Sequence, residues 1–108
     1  MRSVLEEVVG HLAGALDVPV STQAPATRPA AFVLVDPIGG SSSLDERHPE
    51  FAVQSWASTY ADAEELARAV CDAMRANGSM SGYSEPVALG YDGSHHWFQS
   101  AFTMDALW

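Results

Sequence analysis

The chain contains no lysine and a single cysteine, and each scarcity removes a class of function. Five basic residues, all arginine, stand against fourteen acidic ones, for a net charge of −9. Sequence-independent nucleic-acid binding works by neutralising phosphates with Lys and Arg, so this balance disfavours it, although an acidic chain can surround DNA without gripping it. The lone Cys71 has no partner for an intramolecular disulfide, and nothing argues for secretion. No apolar run approaches the roughly 20 residues needed to cross a bilayer, and the first residues lack a basic region followed by an apolar segment. A soluble, cytoplasmic protein is expected. The absence of lysine also removes the phosphate-loop signature from Gly39-Gly40-Ser41-Ser42-Ser43, and no G-x-S-x-G turn is present to expose a nucleophilic serine.

What is present reads as one domain of 108 residues, long enough to bury a core without metal or disulfide support. Ser3 followed by Glu6 forms a capping box, and Val4, Val8, Leu12 and Leu16 recur four apart, predicting a helix near Val4 to Leu16. Gly10 and Gly14 each weaken it by about 1 kcal/mol relative to alanine, either through simple tolerance or in exchange for close approach of a neighbouring backbone. Pro19 stops this helix, a short extended piece follows, and a Ser-, Thr-, Ala- and Pro-rich connector leads to Phe32-Val33-Leu34-Val35. That apolar, β-branched run predicts a central strand. Asp36 to Ser43 is expected to break regular structure, because proline lacks a ladder donor and paired glycines favour turns. The chain returns as a strand over Phe51 to Trp56, where residues alternate with period two.

Thr59 and Asp62 then cap a second helix near Tyr60 to Asn77, with Ala63, Leu66, Ala67, Val70 and Met74 on its apolar stripe and Asn77-Gly78 as its left-handed close. Cys71 lies at the margin of that stripe and reads as a small packing residue. Ser79 to Gly93 is punctuated by glycine and proline, leaving Val87-Ala88-Leu89 as either a short strand or an irregular excursion. Trp97 to Met104 alternates again and predicts the closing strand. The fold class expected is α+β: a single domain with a twisted, mostly antiparallel sheet of three or four main strands and two helices packed on one face.

Residues of catalytic type do not converge, so no enzymatic activity, cofactor or metal is expected. His95 and His96 are adjacent and on a strand would point to opposite faces, so they do not chelate one ion together. Trp56 and Trp97 fit interface anchors or half-buried sheet residues equally. The hairpin tip from Ile38 to Pro49, about 12 residues where roughly 2 to 5 is usual, is expected to be mobile in an isolated subunit and ordered by a neighbour. Leu44, Arg47 and His48 are its candidate subunit or partner contacts.

The capped first helix leads to Pro19-Val20, Arg28-Pro29-Ala30-Ala31-Phe32-Val33 and a Gly39-Gly40 turn. A strand closing in Val53-Gln54-Ser55-Trp56-Ala57 and an Ala- and Glu-rich helix from Ala61 to Ala73 follow. This order resembles the small tail-terminator, or tail-completion, proteins of long-tailed bacteriophages, particularly those of actinobacterial phages and prophages. The resemblance spans Ser3 to Asn77 and the closing strand, while Gly78 to Gly93 does not follow the pattern. It implies a structural virion protein without catalytic residues that self-assembles into a ring, commonly a hexamer, at the head-tail interface. Such a ring caps the tail tube, stops its polymerisation and meets the head-tail connector, while DNA passes through without specific binding. On that expectation Asp45, Glu46 and Glu50 are candidates for an acidic lumen wall, and arginines such as Arg28 and Arg68 lie toward subunit contacts or the outer surface. From another class, the net charge also fits an acidic binding module, a DNA mimic or antitoxin-like inhibitor.

Overall fold

A 27-residue span, Ala31 to Ala57, builds the largest element of the molecule: two antiparallel arms of 12 residues each, β2 (Ala31–Ser42) and β3 (Glu46–Ala57). The computed structural model describes residues 3–42 and 46–107. Around the hairpin, in chain order, lie α1 (Val4–Ala15), β1 (Val20–Ser21), α2 (Tyr60–Arg75), β4 (Met80–Tyr83), β5 (Val87–Tyr91), β6 (His96–Met104) and β7 (Ala106–Leu107). The strand order is β1-β2-β3-β6-β4, with β5 also on β6 and β7 on β3. Among the described residues only the β1–β2 pairing is parallel. The result is a single compact α+β domain.

Among the described residues the sheet has seven strands rather than the expected three or four. Two of the additions, β1 and β7, are two-residue pieces too short to carry a periodic signal. The others, β4 and β5, lie end to end along the outer edge of β6: Met80 to Tyr83 faces Met104 to Phe102, and Val87 to Tyr91 faces Gln99 to His96. The glycines that punctuate this stretch coincide with register shifts at Met80/Gly82 and Ala88/Gly90 rather than with loss of the strand.

The expected break from Asp36 to Ser43 is also corrected. Strand pairing continues past Pro37, with Gly39 opposite Glu50 and Ser42 opposite Arg47, interrupted only by a bulge between Pro37 and Gly39. Proline is tolerated there because β1 covers only Val33 and Leu34, so β2 is a sheet edge at position 37 and needs no donor on its outer side. Gly40 has a φ of +123°, and a Cβ built on it would lie 2.1 Å from the His48 carbonyl oxygen. Only glycine fits that approach.

Both helix starts follow their predicted caps: Ser3 Oγ accepts from the Glu6 N–H and Thr59 Oγ1 from the Asp62 N–H, each at 3.1 Å. The second helix closes differently from expectation. Ala76 and Asn77 N–H groups bond back to Asp72 and Met74, Asn77 Oδ1 accepts from Ser79 N–H at 2.8 Å, and Gly78 has no positive φ. A second closure comes from α1, where His11 Nε2–H donates to the Ala73 carbonyl at 2.6 Å. That carbonyl belongs to the last turn, whose acceptors have no partner within the helix.

The main core joins Val8 and Leu12 of α1, Val70, Cys71 and Met74 of α2, and Val33, Val35, Phe51, Val53, Phe102 and Met104 of the sheet. Those sheet residues share one face by register, since Val35 pairs Val53 and Phe51 pairs Phe102. A smaller cluster of Ala57, Ala63, Ala67 and Phe98 continues it. The alanines let α2 approach β3 closely.

Candidate interaction surface

On the face opposite that core, cross-strand register places Phe32, Trp56 and Trp97 side by side. The rings stack with centroids 5.5 Å apart for Phe32–Trp56 and 4.3 Å for Trp56–Trp97, both 12° from parallel. Arg28 lays its guanidinium 5.2 Å from the Trp56 ring centroid, a cation–π contact, and also forms an ion pair with Asp92. Asp92 Oδ1 accepts from the Ser94 N–H, the Ser94 hydroxyl and the His95 N–H at 2.9, 3.0 and 2.7 Å. These donors hold its carboxyl well below the usual carboxylate range, with Arg28 adding to the effect. His95 is buried edge-on to Phe32 and Trp56, and its Nε2–H donates to the Pro29 carbonyl at 2.8 Å. The connector is thus clasped over the aromatic stack from two sides. Trp56 and Trp97 are half-buried members of that stack.

His96 points the other way, against Tyr91 at 4.5 Å and Tyr60 at 5.9 Å, so the two histidines do separate as expected of adjacent strand positions. Among the described residues no group of three or more His, Cys, Asp or Glu side chains converges to hold a metal ion. Cys71 is buried, its Sγ 3.6 Å from Ser100 Oγ, and burial pushes its thiol up, the opposite of an activated thiolate.

The hairpin candidates fall into four groups. Leu44 and Asp45 lie outside the described residues. Glu46 and Arg47 pair through the backbone with Leu107 and Ala106 of β7, so the end of the chain runs along the hairpin. His48 Nδ1 lies 2.8 Å from Asp105 Oδ1, which gives this expected partner contact a partner within its own chain. Glu50 is half-buried between Gly39 and Thr103 in the ladder. The structure therefore pairs Arg47 with β7 and Glu50 with β6, with His48 beside Asp105 between them, instead of leaving them on a 12-residue loop; regular pairing runs to Ser42 and resumes at Glu46.

Sequence reasoning missed the surface around β5. Large apolar side chains exposed among the described residues are Ile38, Tyr60, Tyr83, Val87, Leu89 and Tyr91. Five of these six lie on β4, β5 or the first turn of α2, and all five residues of β5 are exposed. Tyr60, Leu89, Tyr91, His96 and Phe98 line a cleft of about 300 Å³ beside that strand. A second cleft of about 280 Å³ opens between α2 and the β4–β5 connection, with Arg68 and Arg75 facing Asp72, Tyr83 and Glu85. The apolar run Val87-Ala88-Leu89 was the available signal, but a short apolar run looks the same whether a strand is buried or is an uncovered edge. Exposed apolar side chains gathered on one unpaired edge are suited to recognition of another protein surface. No protein-family model and no curated protein matches the chain.

Proposed function

We propose that the chain is a non-enzymatic ring subunit of a long-tailed phage or prophage virion. In this reading it terminates the tail tube and offers the surface that joins tail to head. The observation that carries it is the hairpin: two 12-residue arms on a domain of 45 × 26 × 21 Å, an elongation that a ring subunit uses to reach its neighbour. The exposed apolar edge at β5 supports the same reading, because a subunit that assembles must leave apolar surface uncovered until it does so. The placement of α1 and α2 together on one face of the sheet is part of this proposal; it leaves both lateral sheet edges open for neighbours.

The partners in this reading are copies of the chain, the tail-tube protein and the head-tail connector, and the site of action is the virion after assembly in the host cytoplasm. The net charge of −9 favours one competing reading, an acidic module that occupies the nucleic-acid site of another protein. The apolar edge separates the two, since a phosphate mimic needs carboxylates at its contact surface and β5 carries none. The test is mass in solution together with co-expression of a tail-tube protein. A ring of defined mass that gives tubes of uniform length is expected; a monomer that leaves tube length unregulated would sink the proposal.

A further inference from the structure

We infer that a proton fastens the connector between β1 and β2: His95 acts as an imidazolium in a hydrogen-bond chain from Asp92 through Ser94 to Pro29, and this strap loosens as pH rises. The inference stands apart from the ring reading, because every group in it belongs to one subunit.

The segment from Thr22 to Ala30 has no regular structure and is tied to the domain by its last three residues. Arg28 pairs with Asp92 Oδ2 and lies over the Trp56 ring, the Pro29 carbonyl accepts from His95, and the Ala30 carbonyl accepts from the Ser58 hydroxyl. Arg28 and Pro29 are thus both held by the loop from Asp92 to His95.

The chemistry of that loop decides which form of His95 it suits. Ser94 Oγ lies 3.0 Å from Asp92 Oδ1 and 2.8 Å from His95 Nδ1, while His95 Nε2 lies 2.8 Å from the Pro29 oxygen. The carboxylate and the carbonyl can only accept, and the hydroxyl has one proton to give. A neutral ring that keeps Nε2–H for Pro29 has an accepting Nδ1. Ser94 must then choose between Nδ1 and Asp92, and the contact it gives up sets two acceptors against each other. The other neutral tautomer satisfies Ser94 but turns a bare Nε2 on the Pro29 carbonyl. An imidazolium removes the conflict. Nε2–H donates to Pro29, Nδ1–H donates to Ser94, the Ser94 hydroxyl donates to Asp92, and the three bonds polarise one another.

The charged groups around the ring are Asp92 on its own loop and Arg28 on the connector; β2 and β3 present the rings of Phe32 and Trp56, and His96 is turned to the opposite face. Burial of His95, at 7% exposure, and the Arg28 cation both oppose a second positive charge. Arg28 is engaged by Asp92 Oδ2, however, which leaves Oδ1 to anchor the relay. The sign of the effect follows: the complete chain is present while His95 carries its second proton and is lost as pH rises. Histidine changes charge in the physiological range, so the hold on the connector is graded there.

The experiment follows the histidine ring nitrogens of the isotope-labelled, full-length chain by NMR from about pH 9 to about pH 5, in the parent and in Ser94→Ala, Ser94→Thr and Asp92→Asn. Ser94 is exposed, so a backbone spectrum unchanged outside the loop verifies the fold. Ser94→Ala is expected to move the His95 titration to lower pH by at least about half a pH unit while leaving those of His11 and His96 in place. Asp92→Asn is expected to move it in the same direction, and Ser94→Thr, which keeps the hydroxyl, to restore it. Backbone order parameters at Arg28 and Ala30 are expected to fall in the parent as His95 loses its proton, and to be low throughout in Ser94→Ala. A His95 titration that Ser94→Ala leaves unmoved, or a parent ring whose Nδ1 stays unprotonated over the whole range, overturns the proton relay. Order parameters that stay flat while His95 titrates overturn the strap.

Discussion

Gly40 and Gly14 show why a residue type has no fixed energetic sign. A Cβ at Gly40 would lie 2.1 Å from a backbone oxygen at a φ of +123°, whereas one at Gly14 meets nothing within 4 Å and the residue is helical. Gly40→Ala is therefore expected to cost about 1–3 kcal/mol or to open the bulge, read as a lowered urea midpoint and faster amide exchange at Ser41, Arg47 and His48. Gly14→Ala is expected to raise stability by about 0.4–1 kcal/mol in the same titration. Of the two readings open for Gly14, simple tolerance is the one its surroundings favour. Asp92 has a different dependence, on pH. Its folded carboxyl titrates below its unfolded value of about 3.9, so the stability it contributes is present above that value and is lost as pH falls through it toward the folded one. Asp92→Asn is expected to melt below the parent at pH 7, with the gap closing progressively below about pH 4; a gap that stays constant down to pH 2 would show that the carboxylate charge does not hold the clasp.

At the scale of elements, α1 depends on docking. It carries Gly10 and Gly14 and has no basic residue in its last turn, yet Val8 and Leu12 are fully buried. Leu12→Ala is expected to cost about 2–5 kcal/mol by chemical denaturation, a large share of the roughly 5–15 kcal/mol typical of a domain. Losing less than 1 kcal/mol would mean that α1 is not part of the cooperative core. Both helices and the three long strands were legible in the sequence because their periodicity and caps are local properties: Ser3, Thr59 and the alternation of Phe98, Ser100 and Phe102 need no tertiary knowledge. The continuation of β2 through Pro37 was not legible, since whether proline is tolerated depends on a neighbour being absent at that position, and β1 ends too early to be one. His11 was equally opaque. Its bond to the Ala73 carbonyl joins residues 62 positions apart, a distance over which no spacing rule operates. The clasp of Arg28, Asp92 and His95 over Trp56 was missed for the same reason, although each of its residues stood in plain view.

For the whole molecule the governing quantity is the charge of −9, multiplied around the proposed ring. DNA passing through such a ring must slide, and a wall rich in arginine would bind its phosphates and impede it. The arginines have other work. Arg28 is paired with Asp92, and Arg68 and Arg75 flank a cleft between α2 and the β4–β5 connection. Glu50, one of the three residues proposed for the lumen wall, lies on the hairpin ladder next to Thr103. A wall of this sign repels the backbone of a duplex at every position along it, which leaves no register to hold the DNA and no barrier between one register and the next. The assembled protein is accordingly expected to leave a DNA duplex unshifted in a gel titration at low salt, where phosphate-driven affinity is greatest, up to concentrations well above about 1 μM. Sequence-independent binding tighter than that, weakening steeply as salt is added, would place cations on the inner wall and overturn the sliding arrangement.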